Sequence, residues 1–346
     1  MKRRRAGRRS SRKPVLASTE FVRAGHWIFG TGVRARDPAR LFDHIGTQLD
    51  RLGSSMSLVA RLDQYYPHAR CVAPYQAARK QAFQGRQVAP STSVIVSALQ
   101  EPAAEFDVQV MAATSESGLV PEEIGAGLNR PETSGYTPCL RVGDLVFVAG
   151  QLARDGSGAL AARGIAAETD YIFRRRLLPA LEAAGSGPEL VLKAQVYLSE
   201  NPGEDEARSR FHTVWSNVFE GAVPPTTVVA LRHPAFLTTE ATVEVNVIAA
   251  RRSARGRVRR IERGEAHASM LDGLLFVGGV GGADLEEAAA KVTPLFAAAG
   301  TDLSNMVRAL VFHPKGSAVA AAKPPFRFTA VEVQAGITVD LWGYVP

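Results

Sequence analysis

The sequence is poor in cysteine and has no long apolar run, and each absence removes a class of protein. Of its 346 residues, only Cys71 and Cys139 are cysteines, which argues against a disulfide framework or a cysteine metal cluster. So few cysteines fit a reducing compartment, and we expect a cytoplasmic protein. No apolar stretch approaches the ~20 residues that a membrane-spanning helix requires, so we expect no membrane partner.

The positive net charge belongs to the N-terminus. The formal net charge is +7, yet residues 1–13 carry eight bases and no acid, so 33 bases and 34 acids remain in the rest of the chain. We expect residues 1–17 to be a disordered basic tail, because blocks of like charge repel one another. We expect no nucleic-acid partner except through this tail, which would attract phosphates by charge alone.

Three helical runs end in the same way. Apolar residues at steps of four, four and three precede a glycine at three places, which predicts the same helix face three times. The runs are Leu41, Ile45, Leu49 and Leu52 before Gly53; Phe173, Leu177, Leu181 and Ala184 before Gly185; and Ala288, Val292, Phe296 and Ala299 before Gly300. Glycine accepts the positive φ at which helices often end. Eight residues beyond each glycine, a base lies within an apolar strand-like run: Arg61, Lys193 and Arg308.

These repeats predict three tandem units. After the tail we place a first unit at 18–114, a linker at 115–135, a second unit at 136–250, an arginine-rich linker at 251–260 and a truncated third unit at 261–346. The element order of strand, strand, helix, strand, helix, strand and strand predicts an α+β fold with helices on one face of a mixed sheet.

Two features of the later part of the chain allow further expectations. The third unit has little room for a second helix between Phe312 and Pro325, so we expect an exposed apolar face that mediates self-association. Residues 251–263 contain seven arginines, which form either a solvated connector or an anion-binding strip.

The motifs of the second unit resemble the RidA/YjgF family, also called the L-PSP endoribonuclease family. Its family-like segments are Leu145 to Gln151, Ala183-Ala184-Gly185, Val196-Tyr197-Leu198, Pro224 to Thr227 and Val243 to Ala249. Related segments of the first unit are Phe29 to Gly32, Ala89 to Ser93 and Phe106 to Ala112; those of the third unit are Leu275 to Gly279 and Pro325-Phe326-Arg327.

The resemblance implies a chorismate-mutase-like, RidA-like fold. Members of the family are trimers with a central β-barrel, outer helices and a small-molecule cleft between neighbouring subunits. Three fused copies then imply an intramolecular pseudo-trimer with three unequal clefts.

The resemblance also implies an activity, the hydrolysis of enamines and imines of 2-oxo acids without a metal or organic cofactor. Carried over by position, Glu244, Asp107 and Asp340 are the candidate acids, and Tyr136 is the tyrosine that closes the pocket. Gly150, Gly279 and Gly32 mark the glycine turn that holds the substrate.

The anchor of the substrate carboxylate is incomplete in this chain. Threonines stand at the position of the family arginine in two units, as Thr226 and Thr92, and only Arg327 in the third unit supplies a guanidinium. Ser18 and Glu265 stand where the first and third units would carry the tyrosine. We therefore expect at most one competent cleft, in which Arg327 meets an acid and a tyrosine from its own or an adjacent unit. The alternative is that all three clefts have changed ligand and that the threonine-lined clefts bind a neutral or bulkier molecule.

Three functions stay open at this point. The first is a deaminase with one composite cleft for a 2-imino or 2-oxo acid. The second is a non-catalytic pseudo-trimer that binds a small metabolite, which the missing arginines favour. The third is an RNA-contacting protein, which rests only on the charge of residues 2–13 and 251–263.

Overall fold

The computed structural model describes residues 20–85, 87–125, 127–128, 135–200, 206–317, 319, 328–333 and 336–346. Its elements form a mixed α+β fold with three sheets. None of the helices in these ranges is long and apolar enough to cross a membrane.

The first sheet contains five strands in the order β1-β2-β5-β3-β4. Its strands and helices are β1 (Phe21–Ala24), β2 (Trp27–Ala35), α1 (Pro38–Arg51), β3 (Val59–Tyr66), α2 (Val72–Phe83), β4 (Ser91–Ile95) and β5 (Phe106–Ala113). Asp37 caps α1 by accepting a hydrogen bond from the Arg40 amide, and the buried face of the helix is the predicted one.

The second sheet repeats this order with one extra edge strand, as β10-β9-β11-β8-β7-β6. Its elements are β6 (Pro121–Glu123), β7 (Cys139–Val142), β8 (Leu145–Gln151), α3 (Ile165–Ile172), a π-helical turn (Phe173–Leu177), α4 (Leu178–Ala183), β9 (Val191–Glu200), α5 (Glu206–Val218), β10 (Thr226–Arg232) and β11 (Val243–Ala250). The segment 115–135 was expected to be a linker, but part of it is a strand, since Pro121 to Glu123 pair with β7.

The third sheet again repeats the order, as β12-β13-β14-β18-β16-β17, with β15 paired to β18. Its elements are β12 (Arg259–Arg263), β13 (Ala266–Leu271), β14 (Leu274–Val277), β15 (Val280–Gly282), α6 (Leu285–Ala299), β16 (Met306–Pro314), β17 (Thr329–Val333) and β18 (Ile337–Tyr344). In all three sheets the last strand lies between the second strand of the hairpin and the strand that follows the first helix. The glycines before those strands, Gly53, Gly185 and Gly300, all have positive φ, as their C-terminal positions predict.

Backbone hydrogen bonds join each sheet to the other two. The Ile95 amide donates to Ala235 O over 2.9 Å between the first and second sheets. The Gly279 amide donates to Thr226 O over 3.0 Å between the second and third. The Glu332 amide donates to Ala98 O over 3.0 Å between the third and first. The sheets therefore pack against one another, although none of them closes into a barrel by itself within the described ranges.

A buried charged layer lies where the three sheets meet. The three repeated bases Arg61, Lys193 and Arg308 are at most 4% exposed, and they surround Asp63 and Asp340. Arg61 and Arg308 both donate to Asp63, while Lys193 Nζ lies 2.9 Å from Asp340 Oδ2. Burial raises the pKa of Asp340, but the positive charges of Lys193 and Arg308 outweigh it and hold that pKa below its ordinary value. The repeated base thus neutralises acids inside the fold.

Two apolar clusters cover the charged layer, and each contains residues of all three sheets. One cluster includes Phe29, Phe147 and Trp342. The other contains three aromatic rings at equivalent positions, Tyr65, Tyr197 and Phe312, with centroids 6.2 to 6.5 Å apart and edge-to-face geometry. Burial of these large side chains at the common core holds the three sheets together.

The arginine-rich linker acts as a connector. Arg257 forms ion pairs with Asp144 and Asp272, and Arg255 pairs with Glu189. Arg260 donates to the backbone oxygens of Glu189 and Val191. These arginines join the second and third sheets, so their contacts do not favour the anion-binding strip.

The exposed apolar face expected in the third unit is absent from the described part of the chain. Ala309, Val311 and Ala330 on this face are buried, and Val319 and Phe328 belong to the same cluster. The chain itself covers the face, which removes the reason for expecting self-association there. Residues 318 and 320–327, where only one helical turn was expected, lie outside the described ranges.

Candidate functional site

A cavity of about 210 Å³ lies where the first and second sheets meet, at a place that we call the first junction. Three of the residues singled out in the sequence line it together: Tyr136, Gly150 and Glu244. The first sheet contributes Ser91 and Ser93 from β4 to the opposite wall. The site is therefore composite, since strands from two sheets are needed to form it.

Glu244 is the buried acid of this cavity, which Asp155 also lines. It lies on β11 opposite Tyr197 of β9 and is 6% exposed. Burial raises the pKa of Glu244 to about 8, with Arg154 opposing the shift and Asp63 adding to it. No hydrogen bond to its carboxylate comes from a residue that the structure describes, so both oxygens are available to a ligand. A substantial fraction of this acid is protonated at neutral pH.

Gly150 makes room for that carboxylate. It ends the apolar run of β8, and a Cβ at this position would overlap Glu244 Oε1. The glycine of the motif is thus required by close approach of a side chain, because any other residue would displace the acid.

Tyr136 closes the cavity from the side of the second unit. Its backbone forms a bridge with Val88, and the neighbouring Thr137 amide donates to Val88 O over 2.9 Å. Burial, followed by the nearby Glu244, raises the pKa of Tyr136 to about 12, so its hydroxyl stays protonated. The guanidinium of Arg79 lies 5.9 Å from the ring centroid and donates to Ser91 Oγ, which fixes both groups at the wall.

Two arginines that sequence reasoning missed supply the positive charge. Arg154 and Arg176 both line the cavity. Arg176 Nε donates to Gln151 Oε1 over 3.1 Å, whereas the buried Nε of Arg154 has no partner among the described residues. Arg154 follows the Gly150-Gln151 motif by three residues, which was the one signal in the sequence that could have drawn attention to it.

Arg176 reaches the cavity from an irregular part of a helix. It lies in the π-helical turn Phe173–Leu177, which ends two residues before Pro179. Proline has no N–H, so the carbonyl four residues earlier loses its α-helical partner, and the wider π turn accommodates this loss. In the third unit Pro294 also lies six residues before the glycine that ends the helix, but α6 stays α-helical through it.

The threonines expected at the anchor position lie elsewhere. Thr92 is 1% exposed and accepts a hydrogen bond from Asn246 Nδ2 in the charged layer. Strand register pairs Thr92 with Asp63 and Thr227 with Gln195, so Thr227, and not Thr226, is the counterpart of Thr92. The two adjacent prolines at 224 and 225 caused this shift by one residue. Thr226 instead donates to Pro224 O and accepts from Trp215 Nε1.

The second junction, between the second and third sheets, is closed by backbone contact. Gly279 lies against Thr227, and a Cβ there would come within 3.0 Å of Thr227 Cα and Thr227 Cγ2. Thr338 pairs with Phe312 and so stands where Glu244 stands in the second sheet. Asp340, expected near this position, lies two residues further along β18 and belongs to the charged layer. Glu265 is exposed and lines a separate surface cavity with Gly279.

The third junction, between the third and first sheets, contains an acid that already has a cationic partner. Asp107 Oδ2 accepts from Arg34 Nε over 2.7 Å, and Asp107 Oδ1 accepts from Thr329 Oγ1 over 2.9 Å. The Gly32 amide donates to the same threonine over 3.1 Å. Arg327 was expected to bind the substrate carboxylate, and Ser18 was expected at the tyrosine position of the first unit. Both residues lie outside the described ranges.

The first junction therefore combines a buried protonatable acid, a tyrosine hydroxyl, two guanidiniums and two serine hydroxyls around one cavity. Guanidinium groups bind carboxylates with two parallel hydrogen bonds. An acid with a pKa near neutrality both donates and accepts protons at little free-energy cost. The arrangement suits a small anionic substrate whose reaction requires proton transfer and water.

Comparisons with known proteins agree with this architecture. Residues 127–251 match the family model of endoribonuclease L-PSP. No match appears among the curated proteins. Among solved structures, a chorismatase is 17% identical with a TM-score of 0.50 over 68% of this chain and 80% of its own.

Smaller structures align with part of the chain. A yeast protein, YEO7, is 21% identical with a TM-score of 0.34 over 38% of this chain and 100% of its own. A putative endoribonuclease from Thermotoga maritima is 24% identical with a TM-score of 0.33 over 38% of this chain and 97% of its own. The likeness to the chorismatase concerns the fold.

Proposed function

We propose that this chain, whose residues 127–251 match the family model of endoribonuclease L-PSP, hydrolyses small imines and enamines of 2-oxo acids at the first junction. The observation that carries the proposal is Glu244, a buried acid without a partner among the described residues, beside two guanidiniums in one cavity. An acid in this state is costly to bury, and sites of catalysis are where such groups occur.

The reaction follows from these groups. Arg154 binds the substrate carboxylate, and the protonated Glu244 donates its proton to the imine nitrogen or to the enamine carbon. A water molecule then attacks C2, and the Glu244 carboxylate accepts a proton from that water. Collapse of the carbinolamine releases ammonia and leaves the 2-oxo acid, so that one imine and one water give one oxo acid and one ammonia.

The proposal includes an intramolecular pseudo-trimer around a shared β-wall. The equal strand orders, the hydrogen bonds between all three sheets and the common charged layer support it. It also includes a single competent cleft, which differs from the cleft expected around Arg327. The ion pair of Asp107 with Arg34 and the close packing at Gly279 support the choice of the first junction.

The test is the rate of imine hydrolysis by purified protein, with the imine generated in situ by an amino-acid oxidase. We expect Glu244→Gln and Arg154→Ala each to lower kcat/KM by about 100-fold, since each removes a group used in the transition state. Glu286→Gln, at an exposed position of α6, is the matched control and should leave the rate unchanged. Hydrolysis no faster than in buffer contradicts the proposal. Loss of activity in Arg327→Ala, with none in Arg154→Ala, would move the site to the third unit.

A non-catalytic metabolite-binding protein is the second candidate. Thr92 and Thr227 favour it. They stand at equivalent positions and form hydrogen bonds within the charged layer. Neither threonine is therefore available to bind a substrate carboxylate. Thermal-shift measurements with 2-oxo acids separate the two candidates. Stabilisation of the wild-type protein without any hydrolysis supports binding alone, whereas hydrolysis that Glu244→Gln abolishes excludes it.

A further inference from the structure

The cavity at the first junction has an apolar side that the proposed reaction does not use. Leu152, Phe236 and Leu237 line it, and we call these three residues the apolar rim. Leu237 is 54% exposed, and it is one of two large apolar side chains that are exposed in the described part of the chain. The other is Val120, which does not line this cavity.

The loop that carries the rim is held firmly at its base. It connects β10 with β11, and Ala235 O accepts a hydrogen bond from the Ile95 amide of the first sheet. The Ala235 amide donates to Ser199 Oγ over 3.0 Å, and Phe236 is only 2% exposed. Anchoring on both sheets fixes Leu237 at the cavity before any ligand binds.

The polar groups of the cavity account for the reacting part of a substrate only. Arg154 is placed to bind a carboxylate and Glu244 to serve the carbon-nitrogen bond, whereas an exposed leucine gains nothing from either group. Apolar surface is stabilised when a ligand removes it from water. A substrate with an apolar side chain beyond C2 would cover Leu237, and a substrate with a single methyl group would leave it in water.

We propose that the apolar rim makes the site selective for imines of 2-oxo acids with a branched or aromatic side chain, in preference to the imine of pyruvate. This inference rests on the proposed function, since it names the substrate class of the same cavity. Leu237 is the main specificity-determining residue, because it is the exposed member of the rim, while Leu152 and Phe236 form the wall behind it.

The experiment compares kcat/KM for imines formed from leucine, phenylalanine and alanine. We expect the two larger imines to be preferred by about tenfold, a ratio that a few apolar contacts supply. Leu237→Ser should reduce this preference to about twofold, through a lower kcat/KM for the two larger imines. Val120→Ser replaces the other exposed apolar side chain, which lies away from the cavity, and should keep the full preference.

Failure of this inference can be told from failure of the proposed function. Hydrolysis of all three imines at equal rates, or a preference that survives Leu237→Ser, overturns the role of the rim and leaves the activity standing. If no imine is hydrolysed, calorimetry with 4-methyl-2-oxopentanoate and pyruvate tests the rim alone. Tighter binding of the larger acid, lost in Leu237→Ser, supports the rim, and equal binding of the two acids contradicts it.

Discussion

The carboxylate of Glu244 lies directly against the α-carbon of Gly150, in the space that a Cβ at position 150 would occupy. Gly150→Ala should therefore displace the acid while the backbone keeps its course. We expect kcat/KM for imine hydrolysis to fall by at least tenfold, because a catalytic group moved by about 1 Å loses its alignment with the substrate. Steady-state kinetics with the leucine-derived imine measure the effect.

Gly46 provides the matched control for this substitution. It lies inside α1, where the nearest atom to an added Cβ is Met56 Cγ at 3.8 Å. Gly46→Ala should leave the activity intact and raise the free energy of unfolding by about 0.5–1 kcal/mol, since alanine favours a helix over glycine. Full activity in Gly150→Ala would show that the acid tolerates displacement, contrary to the role given to it.

Glu244 should also make the stability depend on pH. Its pKa rises from 4.5 to about 8 on burial, so between these values the folded state retains a proton that the unfolded state has released. Stability therefore decreases as pH rises through this window, by up to about 1.4 kcal/mol per pH unit. Urea unfolding of wild type and Glu244→Gln at pH 5, 6, 7 and 8 should show a difference that grows with pH in favour of the variant.

The same protonation should govern activity. The acid form of Glu244 starts the reaction, so kcat/KM should fall above about pH 8 as that form is lost. A rate that stays level from pH 6 to pH 10 would mean that another group supplies the proton.

The charged layer should be a major determinant of stability. Asp63 accepts hydrogen bonds from Arg61 and Arg308 and is 2% exposed. Asp63→Asn leaves two buried guanidiniums without their shared anion, and we expect a loss of about 3–5 kcal/mol in the free energy of unfolding. Asp170→Asn breaks an exposed pair with Arg174 and should cost at most about 1 kcal/mol. Equal losses in the two variants would contradict the assignment of the layer to the core.

The third junction should affect stability without affecting catalysis. Arg34 pairs with the fully buried carboxylate of Asp107. Arg34→Ala removes this charged hydrogen bond and should lower the free energy of unfolding by about 2–3 kcal/mol. The kcat of the folded fraction at 20 °C should equal that of wild type, because this acid has no part in the reaction. A selective fall in kcat at unchanged KM would place the chemistry at this junction.

Much of the fold could be predicted from the pattern of apolar residues and glycines. The helix faces before Gly53, Gly185 and Gly300, the α+β class and the second helices of the first two units follow from local periodicity. The common core was accessible only in part. The three bases Arg61, Lys193 and Arg308 were visible as a repeat, but the contacts of Lys193 with Asp340 and of Arg308 with Asp63 depend on packing between sheets that are distant in sequence.

The candidate site could be predicted to the extent that it follows the family motifs. Tyr136, Gly150 and Glu244 do meet in one cavity. Sequence reasoning did not identify Arg154 and Arg176 as site residues. They lie on a loop and on a π turn, where no motif of the sequence indicates that a side chain lines the cavity. Asp340 and Thr226 were misplaced by one or two residues along a strand, and such shifts change the environment of a strand residue completely.

The central claim is that the first junction holds the substrate carboxylate. The most direct measurement is a crystal structure with a 2-oxo acid that carries a bromophenyl group, located by the anomalous scattering of bromine. We predict one bromine peak beside Leu237, with the carboxylate on Arg154 and C2 within reach of Glu244. A peak at the third junction beside Arg34 and Asp107, with the first cavity empty, would contradict the account.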